Sequence, residues 1–242
     1  IRLAFLIAAA LAGGRGGASA GESAAFRPPA KITDGSGPFH LSRTANGVMA
    51  ADAAGTLHCV YYQGPTFVSL AEPNTVYYRR WTRGGEWAEP EIVDDSFVPG
   101  VGRLGGRHPS LALLGDGSVF VAWQDHRHCT SGGSWIDNIE IYGDLRPFGG
   151  AFSAIDTRLT TTAAAHNGDN GFSPKVALGP DGRLSLAWHD LHFNRDIADI
   201  FLKTSNSAGQ FDPGQGMESM RLTNAAERLN DPAYTLPDLD YD

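Results

Sequence analysis

Three features of the sequence predict an all-β chain assembled from repeated four-stranded antiparallel sheets. Glycine and proline are abundant, 30 and 14 of 242 residues, and no long helical periodicity runs between them. Short runs such as VFVAW and LSLAW are apolar on both alternating faces, as in strands covered on both sides. The third feature is self-similarity: Pro109, Asp116-Gly117, Trp123 and Asp125 recur 65 residues later as Pro174, Asp181-Gly182, Trp188 and Asp190.

In chain order, residues 2–12 (RLAFLIAAALA) set one Arg before a short apolar run, and Ala18-Ser19-Ala20 places small residues just before Gly21. This predicts a secretory signal peptide over 1–20 and a mature chain from 21 to 242. The apolar run is too short to cross roughly 30 Å of hydrocarbon, so the expectation is a secreted or periplasmic protein without a membrane span. The first repeat, about 31–94, holds AADAAGTLHCVYYQ, in which Gly55 and Tyr61 stand 62 residues before Gly117 and Trp123. Thr75-Val76-Tyr77 then gives a third strand, Gly85-Glu86-Trp87 a turn, and Glu91-Ile92-Val93 a last strand.

The second repeat, about 106–160, follows the same order with Glu140-Ile141-Tyr142, Gly150-Ala151-Phe152 and Arg158-Leu159-Thr160. The third, about 171–223, does so with Asp199-Ile200-Phe201, Gly209-Gln210-Phe211 and Arg221-Leu222-Thr223. Asn230-Asp231-Pro232-Ala233 resembles the opening of a fourth over 230–242, with Pro232 standing where Pro109 and Pro174 stand. Units of about 60 residues with four strands each predict the blades of a β-propeller, whose closure hides the sheet edges. A β-sandwich is the alternative, but it does not require one strand signature three times. Propellers typically have four to eight blades, so about three and a half imply that later blades lie beyond this sequence.

The formal charge is −8 with a pI near 5.4, and no Lys/Arg-rich stretch is present, which excludes a nucleic-acid backbone as partner. Cys59 lies in a strand-like run and Cys129 in a loop, a poor case for a disulfide. His126, His128 and Cys129 lack a second ligand pair at zinc spacing, and His189 and His192 are no better placed, so no metal site is expected. Asp238, Asp240 and Asp242 alternate as in a calcium loop, a weak signal for calcium and otherwise no cofactor. The oxygen-rich stretch from His166 reads as a solvated turn. Gly100, Gly102 and Gly105 spell a Gly-x-Gly-x-x-Gly, but Pro99 precedes it and no helix follows, which rejects a dinucleotide site.

Taken together, Arg-x-Pro, Trp-x-Asp-x-Arg, Glu-Ile-Tyr, Gly-Gly-x-aromatic and Arg-Leu-Thr resemble the Asp-box (BNR) repeats of the sialidase superfamily. The resemblance implies a six-bladed propeller and covers nearly all of 31–242. The Asp of the family's Ser-x-Asp-x-Gly-x-x-Trp box is missing from the corresponding turns at 82–87, 146–152 and 205–211. A residue found in every copy serves the blade, which assigns Trp123, Trp188, Asp125 and Asp190 to packing and turn bonding. Arg107 and Arg127 occur only in the second copy, 20 residues apart. The resemblance implies that they form part of an Arg clamp on a substrate carboxylate, which the planar guanidinium fork suits. It also implies an acidic catalyst on an early loop, for which Asp137 is the candidate and Glu140 the alternative. The implied function is an exo-acting glycoside hydrolase of terminal sialic acids. The alternative is a non-catalytic propeller that binds a glycan, glycoconjugate or protein.

Overall fold

The computed structural model describes residues 39–40, 48–63, 74–94, 105–127, 139–160, 171–190, 199–207, 209–211 and 220–223. All of them fall in the unit Thr33–Asp242. The expected signal peptide, the fourth-repeat opening and the Asp238 to Asp242 run lie outside the described residues.

Three antiparallel sheets follow one another along the chain. The first contains β1 (Phe39–His40), β2 (Met49–Ala51), β3 (Leu57–Gln63), β4 (Thr75–Trp81) and β5 (Glu91–Ile92). The second contains β6 (Gly106–Leu113), β7 (Val119–Asp125), β8 (Glu140–Arg146) and β9 (Thr157–Arg158). The third contains β10 (Gly171–Leu178), β11 (Leu184–Asp190), β12 (Asp199–Thr204) and β13 (Met220–Arg221). In the second and third sheets, spatial order equals chain order. The first departs from the expected four strands because β1 and β2 share one edge of β3. β1 pairs at Tyr62 and Gln63, and β2 at Leu57 to Cys59.

The register explains the repeat. Tyr61 pairs with Tyr77, Trp123 with Tyr142, and Trp188 with Phe201. Each pair stacks, with ring centroids 5.6, 6.5 and 5.8 Å apart. Such cross-strand aromatic contacts are a main source of pairing energy in a sheet. The outermost strands are only two residues long, and in each sheet the side chain just past them extends the ladder. Asp94 Oδ1 accepts from Val76 N at 2.8 Å, Thr160 Oγ1 from Ile141 N at 2.8 Å, and Thr223 Oγ1 from Ile200 N at 2.9 Å.

Sheets stack in succession: β6 packs on β3 and β4, and β10 packs on β6, β7 and β8. The first seam is filled by Val60, Tyr78, Val93, Val121 and Trp123, the second by Phe120, Ile141, Leu159, Leu186 and Trp188. Both tryptophans are buried at equivalent positions of adjacent sheets. This succession of blades is the β-propeller architecture.

The two ends of the sheets differ. At one end, six tight turns close with a Gly N–H donating to the carbonyl three residues back, at Gly55, Gly85, Gly117, Gly150, Gly182 and Gly209. At the other end the connections are 64–73, 95–104, 128–138, 161–170 and 191–198.

Candidate functional site at the loop end of the blades

At this loop end the first strand of each later blade is bent. The β6–β7 register shifts between Arg107 and Ser110, and the β10–β11 register between Phe172 and Lys175. Pro109 and Pro174 sit in these bulges, where a missing N–H does least harm to the ladder. The residues before them, His108 and Ser173, have φ of 50° and 48°, a region non-glycine residues seldom adopt. The preceding blade supports each one. The Tyr62 ring lies 5.7 Å from the His108 ring, and Gln124 Oε1 accepts from Ser173 N at 3.0 Å. Gln124 Nε2 also lies 3.3 Å from His126 Nε2.

In the third blade the residue equivalent to Gln124 is His189, stacked on Phe172 with centroids 5.1 Å apart and planes at 17°. Burial, and then the nearby His108, push its pKa down to about 4, so the imidazole is neutral near pH 7.

Arg107, on the second position of β6, is buried beside buried Asn74. With the Asn74 amide oriented toward it, the side-chain oxygen accepts from Arg107 Nε at 2.6 Å and Nη2 at 2.7 Å. Asn74 is brought there by a parallel bridge to Gly105, whose φ is 78°. A Cβ at that position would fall 1.7 Å from the Asn74 carbonyl oxygen, so only glycine permits the approach. Arg107 therefore stands at the loop end, anchored across the first seam.

Arg127 is placed otherwise than the clamp expectation requires. Its guanidinium lies over the Tyr142 ring, 4.0 Å from the centroid, and Nη2 donates to Asp125 Oδ2 and Asp156 Oδ2, both at 2.6 Å. Asp125 also accepts from Arg127 N at 2.8 Å and Trp123 Nε1 at 2.9 Å. Burial opposes the charge on Arg127, but the two carboxylates outweigh it and raise its pKa. Asp94 belongs to the same seam, with Oδ2 accepting from Gly106 N at 2.6 Å. Burial and then the Asp125 charge push the Asp94 carboxyl well above the ordinary carboxylate range, against the pull of the Gly106 and Val76 N–H groups. Asp94 ties the first two blades together, whereas Arg127 is spent on carboxylates of its own blade and is not left open to a ligand.

Glu140 is likewise a blade residue. Its side chain is 1% exposed and accepts from Arg158 Nη2 and from Thr160 Oγ1. Thr223 Oγ1 donates to Asp199 Oδ1 in the third blade at 3.0 Å, so the device recurs. By the rule that a repeated residue serves the blade, the pairing of Glu140 with Asp199 in the sequence already carried this signal. Asp137, the other acid candidate, lies outside the described residues, as do His128, Cys129 and His192. What sequence reasoning missed at this end is the set Asn74, His108, Gln124 and Phe172; the signal available was the position of His108 immediately before the repeated Pro109 and of Gln124 immediately after the repeated Trp123.

Among the described residues, no group of three or more His, Cys, Asp or Glu is arranged to hold a metal ion, and no helix is long and apolar enough to cross a membrane. No family model matches the chain, and no curated protein matches it. Solved structures do. A Hadza microbial sialidase superposes over 68% of this chain and 36% of its own, with 15% identity and a TM-score of 0.51. A family 117 glycoside hydrolase from Zobellia galactanivorans matches over 72% of this chain and 54% of its own, with 13% identity and a TM-score of 0.48. An endo-arabinase from Bacteroides thetaiotaomicron gives 73% and 61%, 13% identity and 0.43. The likeness to the sialidase establishes that this chain has a sialidase-like β-propeller fold. The chain spans about a third of that sialidase's length.

Proposed function

We propose that this chain is the blade-forming part of an exported, sialidase-like propeller that acts on glycans at the loop end. The supporting observation is the difference between the two ends of the sheets: Gly-closed turns at one, and at the other the bulged strand openings with Arg107, His108, Gln124 and the long connections. In such scaffolds function is grafted on the loop side. In this reading Arg107 provides the guanidinium for an acidic sugar, and Asp137, on the connection 128–138, serves as general acid. Arg127 and Glu140 hold the scaffold that positions them. Sialidases depart from the two-carboxylate glycosidase scheme, so a single loop acid is compatible with that chemistry.

The second reading, a non-catalytic glycan-binding propeller, is favoured by the use of both Arg127 and Glu140 within the sheets. One experiment separates the two. Full-length protein is assayed on fluorogenic sialosides, arabinosides and galactosides, and in parallel on a glycan array. Release from the sialoside that falls at least about 100-fold in Asp137→Asn, at unchanged melting temperature, supports the enzyme. Array binding without turnover supports the binder, and neither activity ends both readings.

A further inference from the structure

The two seams among the described residues obey one rule. In each preceding blade, the residue after the stacked aromatic of the second strand reaches the residue before the bulge proline of the next blade. Tyr62 reaches His108, and Gln124 reaches Ser173. The third blade supplies His189 at this position. Its Nδ1 is buried and has no hydrogen-bond partner among the described residues.

A second observation marks the same face as unfilled. Val93, Leu159 and Leu222 are equivalent, each donating its N–H to the third strand of its sheet, at Val76 O, Ile141 O and Ile200 O. Val93 and Leu159 are 0% and 2% exposed, whereas Leu222 is 48% exposed. Among the described strands, none stands to the third sheet as the third stands to the second.

We propose that this face receives the segment Asn230-Asp231-Pro232 as the opening strand of a next blade, with His189 Nδ1 accepting the backbone N–H of Asp231. Asp231 precedes Pro232 as His108 precedes Pro109 and Ser173 precedes Pro174. A neutral imidazole offers a lone pair to an N–H as the Gln124 amide oxygen does, and the lowered basicity of His189 keeps that lone pair available. The chain can reach. Six residue steps separate Thr223 from Leu229, the counterpart of Gly171, and extend to about 20 Å. Three interstrand spacings, the width of the sheet to be crossed, amount to about 14 Å.

The test is residue-resolved amide exchange by NMR on the full-length protein. The Asp231 amide is expected to be protected, to exchange at least about tenfold faster in His189→Ala, and to keep its protection in His189→Gln, which restores an acceptor. Should His189→Ala not fold, the wild type decides alone, because a hydrogen bond from Asp231 N–H to His189 Nδ1 gives a scalar coupling between the two nitrogens. An unprotected Asp231 amide, or no such coupling, overturns the proposal. So does a dimer by light scattering in which a second copy covers Leu222 while the Asp231 amide remains unprotected.

Discussion

Replacing Arg127 by Met discriminates between an anchor and a ligand clamp. The guanidinium side chain is 8% exposed, and those of its partners Asp125 and Asp156 are 1% and 0% exposed. Met keeps an apolar stem over Tyr142 but removes the cation, stranding two buried carboxylates of the second blade. Breaking a buried pair in this way costs about 3–5 kcal/mol. For a chain of this size that corresponds to a fall in melting temperature of about 6–20 °C. Adding Asp125→Asn and Asp156→Asn to the Met variant should restore most of the stability, since the whole charged set is then removed together. Urea unfolding, with glycoside turnover measured on the same samples, reads all of these outcomes. A variant with wild-type stability that has lost only saccharide binding would refute the anchor and return Arg127 to the site.

Other substitutions probe the seams. Gly106 and Gly171 occupy the same position in successive blades, but an added Cβ at Gly106 meets Trp123 Cδ1 at 2.4 Å and Val76 Cγ2 at 2.8 Å, while at Gly171 the nearest atom is Ile141 Cγ1 at 2.9 Å. Gly106→Ala should therefore cost about 3 kcal/mol and Gly171→Ala about 1 kcal/mol or less, and equal urea midpoints for the two would contradict this. Because the folded pKa of His189 is depressed to about 4, the unfolded chain binds the extra proton first. The stability His189 contributes is present above pH 6.5 and is lost as pH falls from there toward 4; His189→Gln should flatten that limb of the stability profile, and an unchanged limb would count against it. Cys59 is fully buried and its thiol is pushed up to about 11 by burial, so in a Cys129→Ser background native protein at pH 8 should react with a disulfide reagent only as fast as it opens. An immediate full-amplitude reaction would show the thiol to be accessible.

The repeat made the blades legible because each recurrent residue is tied to a register position. Trp123 and Trp188 stack on the third strand, and Pro109 and Pro174 mark bulges, so equal spacing in sequence became equal geometry. The first blade read faintly for a physical reason. Its inner edge is shared by β1 and β2, which flank Tyr61 where the later blades need only a two-residue bulge. The site read less well. Arg127 and Asp156 stand 29 residues apart within one blade, and the Arg146–Glu91 pair that bridges the first two blades spans 55. No local pattern encodes such contacts, which exist only once the strands of a blade are assembled or one blade is laid on another.

The seams also explain why presence in a single copy was an unsafe guide to the site. In a closed ring of identical blades every seam would be identical, and a residue found once would be free for other work. Here the seams differ. The first carries Asp94 accepting from Gly106 N, and Arg146 bidentate on Glu91 at 2.8 and 3.0 Å. The second carries Gln124 on Ser173, and Lys203 Nζ donating to Leu159 O at 3.1 Å. Each seam needs its own polar pairing, because buried donors and acceptors left unmatched cost more than matched ones gain. A single-copy charged residue in a propeller thus has two structural destinations, its own blade or one particular seam, before it is available to a ligand. Arg127 has gone to its own blade, where Asp125, Asp156 and Tyr142 hold it. Arg107 shares its blade but stands at the loop end, where its Nε and Nη2 donate to the side-chain oxygen of Asn74 from the first blade. That place at the loop end, rather than the spacing of 20 residues between them, is the reason the proposed acidic-sugar site is sought at Arg107 and not at Arg127.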